Sequence, residues 1–464
     1  MLTTSNQNHN HQSLAISLKN RREKLAKLIK QPVILWSGDY SPRNFQANKL
    51  PFRSSSHFLY FVGMPLANAA IRLNSGELEL FIDDPTPEAT LWHGSMPDRS
   101  EIAAIMGADR VYPLQELSNH TQDAATIAVQ DLATYQQQCQ LLQRQVALPS
   151  QAQGQDLELV QALVKLRSQH DELALQELRQ AAAVSVEAHQ AGMQATKSAT
   201  TEASIRGAME GVIIAHNMSC AYNSIVTTHG EVLHNESYDH QLQPGDLLLA
   251  DVGAETPNGW AADITRTWAV SGKFSSTQKD IYQLVLQAHD DCIAMVRSGV
   301  EYQEIHLRSA LVIAEGLVNL GILRGNPQDM VDMDAHALFF PHGVGHLLGL
   351  DVHDMEDLGD IAGYHSKRTR SDRFGLGYLR LNRPLQAGMV VTIEPGFYQV
   401  PAILNDPHFR HKYQDVVNWE HLAKFQDVRG IRIEDDVLVT DSMPEVLTAK
   451  LPTKIEEIEY LTNK

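Results

Sequence analysis

The chain has 464 residues, of which 43% are apolar and 20% are charged. Its 38 basic and 56 acidic residues give a net charge of −18, so no basic surplus exists to neutralise nucleic-acid phosphates or anionic lipid headgroups. The length indicates roughly two to four domains. Because no apolar stretch reaches the length of a membrane span, we expect a globular protein with neither a nucleic-acid nor a membrane partner.

Three cysteines stand far apart in the chain, at Cys139, Cys220 and Cys292. Without a CxxC pair, neither a disulfide framework nor a cysteine-based zinc site is expected. This cysteine usage is typical of a reducing compartment, and we predict a cytoplasmic location. Residues 1–13 are rich in Asn, Gln and His, lack an apolar signal sequence, and are predicted to be a disordered tail.

The N-terminal third alternates between helical and strand-like patterns. Leu and Ile at helical spacing predict an amphipathic helix over 14–30. Short apolar runs separated by turn residues follow at 33–36, 58–62, 69–73 and 78–82, which is an α/β pattern. A glutamine-rich stretch with a Pro and Gly breaker near 150 then favours a boundary between domains over 14–165 and 166–464.

The C-terminal part begins with helices and continues as strands joined by Gly and Pro turns. One long helix is predicted over 157–195, and two more over 278–320 with a break at Ser298-Gly299. Strands are predicted at 247–250, 264–270, 389–393 and 431–439.

Acidic residues stand in or beside several of these apolar strands. Asp251, Asp263, Glu394 and Glu434 are the four that stand out. A buried carboxylate is costly unless something pairs with it. Any one of the four alone is more simply a cap or a salt-bridge partner. Four in one half of the chain favour a shared cation.

Histidines in the segment PHGVGHLLGLDVHD add nitrogen ligands to this set. His342 and His346 are four residues apart, which would align them on a helix, although three glycines make a regular helix uncertain there. Imidazole is the usual nitrogen ligand of divalent first-row metals. Four carboxylates and one imidazole suit two divalent ions, which can lower the pKa of a shared water for amide or ester hydrolysis.

Four segments resemble, in order, the motifs of the proline-specific pita-bread metallopeptidases, which comprise the Xaa-Pro aminopeptidases (aminopeptidase P) and the Xaa-Pro dipeptidases (prolidases). They are DVGAETPNGWAADITRTW, PHGVGHLLGLDVHD, VVTIEPGFY and GIRIEDDVLVT. In the first half, LPFRSSSHFLYFVGMP and LWHG resemble the aminopeptidase-P N-terminal domain. The resemblance implies an α/β protein with a small N-terminal mixed-sheet domain and a C-terminal pita-bread catalytic domain.

The resemblance also implies a metal site and its chemistry. The family's ligands fall on Asp251, Asp263, His346, Glu394 and Glu434, with Asp263 and Glu434 bridging two ions. Manganese is expected, with cobalt, zinc and iron as alternatives. A bridging hydroxide would attack the scissile carbonyl of the Xaa-Pro bond.

Further roles follow from the same motifs. Besides Glu394 as the general base, the resemblance implies catalytic contacts from His234, His353 and Arg432. It places His342 and Arg380 at the substrate.

The family resemblance leaves several functions to weigh. The first is an aminopeptidase acting on small peptides with proline second. A prolidase restricted to dipeptides is the alternative, because Arg380 and the insertions at 354–383 and 403–425 resemble those of prolidases, where this Arg binds the dipeptide's carboxylate. Methionine aminopeptidase fits the His motif less well, and an inactive binding domain would have lost ligands. A homodimer or homotetramer is expected.

Overall fold

The structure is a computed structural model that describes residues 4–365 and 367–464, without the side chains of residues 4–12. The chain forms two compact units. The N-terminal unit comprises the chain up to Ala174 together with 257–259 and 355–362, and the remainder forms the C-terminal unit. The disordered tail predicted over 1–13 stays a prediction, because residues 1–3 and the next nine side chains lie outside the described part.

Helices account for much of both units. The α-helices are α1 Thr4–Leu28, α2 Ser56–Val62, α3 Pro87–His93, α4 Arg99–Met106, α5 Leu132–Leu141, α6 Gly154–Arg167, α7 Glu172–Ala195, α8 Glu202–Ala215, α9 Ser276–Met295, α10 Tyr302–Asn319, α11 Pro327–Asp332, α12 Asp360–Gly363, α13 Pro401–Leu404, α14 Pro407–Lys412, α15 Trp419–Leu422 and α16 Ile455–Asn463. Short 3-10 helices lie at Leu114–His120, Pro149–Gln151, Ala335–Leu338, Glu356–Leu358 and Ala423–Phe425. Over the described ranges, none of these helices is both long and apolar enough to cross a membrane.

The N-terminal unit is built on a four-stranded mixed sheet. Its strands, in spatial and chain order, are β1 Val33–Trp36, β2 Ala70–Asn74, β3 Glu77–Phe81 and β4 Arg110–Tyr112. The first three pair antiparallel, and β4 runs parallel to β3. The apolar run at 58–62 is helix α2 instead, in which all seven side chains are buried. A run that is apolar on every side carries no periodicity to distinguish a buried helix from a buried strand.

The C-terminal unit contains several small antiparallel sheets. Its strands are β5 Ser219–Cys220, β6 Ile225–Thr227, β7 Leu247–Asp251, β8 Ala254–Glu255, β9 Thr265–Ala269, β10 Val390–Ile393, β11 Gly396–Tyr398, β12 Gly430–Arg432, β13 Asp435–Leu438 and β14 Glu445–Val446. They pair in the orders β6-β7-β9, β10-β13-β14, β11-β12 and β5-β8. The predicted strands at 247–250, 264–270 and 389–393 are confirmed, whereas 431–439 is interrupted between β12 and β13.

Two predicted helical segments have different outcomes. The pair of helices predicted over 278–320 is confirmed as α9 and α10. The single helix predicted over 157–195 is wrong, because α6 ends at Arg167 and α7 begins at Glu172. The Asp171 carboxylate accepts a hydrogen bond from the Ala174 backbone N–H at 3.0 Å, and this capping contact favours a new helix start.

Candidate metal centre

Two adjacent antiparallel strands bring the first pair of predicted ligands together. Asp251 is the last residue of β7, and Asp263 stands two residues before β9. In the register of these strands, Asp251 lies opposite Thr265. The Val252 backbone N–H also bonds the Ile264 carbonyl at 3.0 Å, so the pairing continues past the strand end.

The interruption between β12 and β13 places Glu434. Its backbone N–H bonds the Thr265 carbonyl at 3.0 Å, which ties the break to the start of β9. The Thr265 hydroxyl then donates to Glu434 Oε2 at 2.7 Å. The strand break therefore presents the Glu434 carboxylate beside Asp263, and in the described part of the chain the Thr265 hydroxyl is its one side-chain donor.

A glycine-containing loop positions His346 against β10. The His346 carbonyl accepts from the Thr392 N–H at 3.0 Å, and the Glu394 N–H bonds the Val344 carbonyl at 2.8 Å. A Cβ at Gly345 would lie 2.2 Å from the Thr392 carbonyl oxygen, so this approach requires glycine. Residues 341–350 form no helix, and strand-like contacts rather than helical spacing set the orientation of His346.

The tautomer of His346 suits a metal ligand. Its Nδ1 lies 3.1 Å from the Leu347 carbonyl, a bond that requires the proton on Nδ1 and makes Nε2 the lone-pair nitrogen, as a metal ligand needs. Nε2 lies 3.4 Å from Asp263 Oδ2 and 3.5 Å from Glu394 Oε1. Ligand atoms of Asp263, His346 and Glu434 all lie within 4.8 Å of one another, and all three residues are buried.

Tyr222 and Arg432 connect Asp251 to this cluster. The Tyr222 hydroxyl lies 2.6 Å from Asp251 Oδ1 and 2.6 Å from Asp263 Oδ1, although it has only one proton to donate. Arg432 donates to Asp251 Oδ2, to the Thr265 hydroxyl at 3.0 Å and to the Tyr398 hydroxyl at 3.0 Å. Arg432 is the guanidinium in direct contact with these acids.

His342 contacts the same Tyr398 hydroxyl as Arg432 does. Its Nε2 lies 2.8 Å from the Tyr398 hydroxyl, and its Nδ1 lies 2.8 Å from the Gly343 carbonyl. Burial, followed by the charge of Arg432, lowers the pKa of His342 to about 3, so the ring is neutral. A neutral ring bonded at both nitrogens orients Tyr398.

The electrostatics fit a cation site. Burial raises the pKa of Asp251, Asp263 and Glu434. At Glu434 the charges of the neighbouring carboxylates raise it further, whereas Arg432 opposes the rise at Asp251 and the Tyr222 hydrogen bond opposes it at Asp263. Burial raises the pKa of Glu394 to about 8, with Arg432 opposing the rise. These four carboxylates outnumber the guanidinium groups of Arg432 and Arg380 that lower the pKa of Glu394, which leaves an excess of negative charge that favours divalent cations. Oxygen ligands with one imidazole suit such ions.

A cavity of about 760 Å³ opens onto these groups within the C-terminal unit. Every site residue predicted from the sequence lines it, namely His234, Asp251, Asp263, His342, His346, His353, Arg380, Glu394, Arg432 and Glu434. The ring centres of His346 and His353 are 4.2 Å apart. The structure therefore brings the whole predicted set to one cavity, and the individual roles of its members stay predictions.

Sequence reasoning missed several residues that shape the site. Thr265 lies two positions after Asp263, so strand alternation places both on one face and could have indicated it. Tyr222 and Tyr398 lie near ligands only through the fold, and no local pattern identifies them as partners. Glu231 also lines the cavity, three residues before His234.

Comparisons with known proteins agree with this geometry. Residues 176–441 match metallopeptidase family M24, and residues 18–131 match the aminopeptidase P N-terminal domain. A probable Xaa-Pro aminopeptidase of Penicillium rubens is 32% identical over 427 residues, covering 89% of each chain.

Solved structures of similar proteins cover nearly the whole chain. Aminopeptidase P from E. coli with the inhibitor Pro-Leu has a TM-score of 0.78 at 26% identity and covers 97% of this chain and 98% of its own. Pseudomonas aeruginosa aminopeptidase PepP has a TM-score of 0.79 at 28% identity, with the same coverage. These similarities confirm the expected α/β fold and show that the chain belongs to metallopeptidase family M24, with an aminopeptidase P N-terminal domain.

Proposed function

We propose that this metallopeptidase is an Xaa-Pro aminopeptidase, which removes the first residue from peptides whose second residue is proline. The observation that carries the proposal is the convergence of four carboxylates and His346 on one cavity, in a chain similar over 89% of its length to a probable Xaa-Pro aminopeptidase. All five candidate ligands are present, which favours an active enzyme over a binding domain.

The metal centre would be held by Asp251, Asp263, His346, Glu394 and Glu434, with Asp263 and Glu434 shared between two ions. The mutual proximity of Asp263, His346 and Glu434 supports this assignment. A bound pair of divalent ions lowers the pKa of a shared water and polarises the scissile carbonyl. Manganese is the proposed metal, with cobalt, zinc and iron as alternatives.

Glu394 is the proposed general base. Its carboxylate lies at the cavity wall beside His346, and the raised pKa in the metal-free site shows how strongly burial there favours a bound proton. A carboxylate that takes a proton from the attacking water can return it to the leaving proline nitrogen.

His234 and His353 are proposed to contact the substrate from the cavity wall. Burial, followed by the charge of Arg432, lowers the pKa of His234, which favours the neutral ring near neutral pH. A neutral imidazole carries one N–H that can donate to a carbonyl oxygen or to the developing oxyanion. Arg432 is proposed to hold Asp251 in its ligating orientation.

Arg380 and His342 are the proposed substrate-binding residues. Arg380 lines the cavity, where a guanidinium can bind a peptide carbonyl or a terminal carboxylate. His342 lines the same cavity. The names of the relatives favour the aminopeptidase over the dipeptide-restricted prolidase. A homodimer or homotetramer and a cytoplasmic location stay predictions.

The test compares two substrates with metal-stripped protein, with and without added manganese. Free alanine is measured from Ala-Pro-Ala and from Ala-Pro. Manganese-dependent release from the tripeptide, alone or with the dipeptide, is the expected result. Release from the dipeptide alone would favour prolidase, and no metal-dependent release from either would contradict both.

A further inference from the structure

Glu231 lines the cavity and carries a hydrogen-bond acceptor that has no donor among the described residues. The residue is 8% exposed and lines the cavity three positions before His234. Its Oε1 accepts a hydrogen bond from Arg429 at 2.6 Å, while Oε2 is buried and has no partner among the described residues. A buried carboxylate oxygen without a donor is costly, so a ligand that supplies one would relieve that cost.

The segment that carries Glu231 is held in place on both sides. A Cβ at Gly230 would lie 2.8 Å from the Gly430 carbonyl oxygen, so the backbone of this segment lies directly against β12. Arg429 Nη1 lies 3.2 Å from Nε2 of His229 while its other nitrogen bonds Glu231. His229 Nδ1 also lies 3.3 Å from Oε1, so these contacts restrict the orientation of the carboxylate group.

The same segment borders the open end of the cavity. Val232, next to Glu231, is 47% exposed, and the cavity-lining residues Pro401 and Ala402 are also exposed. Asp251, Asp263 and Glu434 of the metal centre are by contrast buried. An exopeptidase that removes one residue must place that residue at the closed end, so the chain beyond proline passes the open end.

The chemistry of the substrate then identifies the donor. A proline nitrogen in a peptide bond carries no hydrogen. In a peptide Xaa-Pro-Yaa, the first backbone N–H after the scissile bond therefore belongs to the third residue, and an Xaa-Pro dipeptide has no amide N–H at all. The other donor near the site is the N-terminal ammonium, which lies on the opposite side of the scissile bond.

Resting on the proposed function, we propose that Glu231 is a specificity-determining residue that accepts a hydrogen bond from the N–H of the third substrate residue. This contact selects tripeptides and longer peptides over dipeptides. Glu231 takes no part in the chemical step.

The experiment uses full-length, manganese-loaded wild-type protein, E231Q and the control E236Q. Glu236 is exposed on the same segment, and among the described residues its carboxylate accepts from the Asn223 side chain alone, at 3.2 Å. In E231Q the amide oxygen keeps the Arg429 contact, and the amide NH2 replaces Oε2 and opposes the substrate N–H. The substrates are Ala-Pro-Ala and its ester analogue Ala-Pro-lactate, in which oxygen replaces that N–H.

The expected result is a loss confined to the amide substrate. For E231Q, kcat/KM on Ala-Pro-Ala falls about 10- to 100-fold, the range for a hydrogen bond to a charged group, while the ester is cleaved within about twofold of wild type. Wild type itself cleaves the ester about 10- to 100-fold less well than the amide. E236Q behaves as wild type on both.

Other outcomes overturn the inference. Equal losses on amide and ester would mean that Glu231 supports the loop or binds the N-terminal ammonium, and no loss on either would mean that it binds nothing. Wild type that cleaves Ala-Pro-Ala with manganese keeps the proposed function whatever E231Q does. Wild type that cleaves neither substrate overturns the proposed function, and this inference with it.

Discussion

Glu434 and Asp435 are consecutive, buried acids with opposite electrostatic environments. Burial and the charges of Asp263, Glu394 and Asp251 raise the pKa of Glu434 well above its ordinary value. Burial also raises the pKa of Asp435, but the charge of Arg266 together with the contacts of His289 and Thr448 outweighs it and holds that pKa well below its ordinary range.

Their contacts explain the difference. Arg266 donates to Asp435 Oδ1 at 2.8 Å, the Thr448 hydroxyl donates to the same oxygen, and His289 Nε2 lies 2.9 Å from Oδ2. Glu434 has the Thr265 hydroxyl, and its other close neighbours include carboxylates. A buried acid that the protein pairs itself stabilises the fold, whereas one that it leaves among other acids marks a cation site.

The largest effect is expected from Glu434→Gln, which removes a shared ligand and one of the crowded charges. Activity on Ala-Pro-Ala should fall by at least about 100-fold, since loss of a single outer partner of a ligand already costs up to that much. The stability of the metal-free protein should not fall, because a like charge is removed. Urea unfolding in the presence of a chelator measures the stability of the metal-free variant. A free energy of unfolding clearly below that of the wild type would contradict the contrast between Glu434 and Asp435.

Asp435→Asn should instead lower the stability of the protein and leave its bound metal unchanged. Arg266 is fully buried and would lose its carboxylate partner, so the free energy of unfolding should fall by about 3–5 kcal/mol. Bound manganese, measured on folded protein, should stay at the wild-type stoichiometry. Loss of metal with unchanged stability would reverse the roles assigned to the two acids.

An intermediate effect is expected from Tyr222→Phe. Its hydroxyl touches both Asp251 and Asp263, so the change removes an orienting contact without removing a ligand. Manganese affinity or kcat/KM should fall about 10- to 100-fold, the usual cost of losing an outer partner. An unchanged affinity and rate would show that the strands alone orient the two carboxylates.

The smallest effect is expected from Asp171→Asn, which changes a paired acid in the N-terminal unit. Arg21 donates to both oxygens of Asp171 at 2.7 Å, and although burial raises the pKa of Asp171, these bonds and the Arg21 charge lower it overall. Asp171→Asn keeps a capping side chain for α7 but removes the charge pair. At pH 7 this should cost about 1–2 kcal/mol.

The pH dependence of that cost follows from the direction of the pKa. A lowered folded-state pKa gives stability that is present above the unfolded value of about 3.9 and is lost as the pH falls through the folded value. The difference between wild type and Asp171→Asn should therefore be equal at pH 7 and pH 5 and shrink below about pH 4. Thermal unfolding across this range tests it, and a difference that grows on acidification would contradict it.

The sequence predicted the site better than the details of the fold. The candidate ligand acids could be identified from the sequence because they stand in or beside apolar segments, where a buried carboxylate needs a partner. However, IEDD contains three consecutive acids, and strand alternation alone does not separate Glu434 from Asp436, which accepts the Asp263 backbone N–H at 3.3 Å. The apolar residues around Glu434 singled it out as a candidate, and the motif resemblance then assigned it as a ligand. Tyr222 could not be predicted, because its contacts depend on how distant segments meet.

The most direct test of the central claim is the number of manganese ions bound by the wild-type chain. After chelation and titration with manganese, calorimetry should give two ions per chain, because the four carboxylates of Asp251, Asp263, Glu394 and Glu434 outnumber the arginines that line the cavity beside them. Binding of no manganese by folded wild-type protein would contradict the claim that these acids form a metal centre.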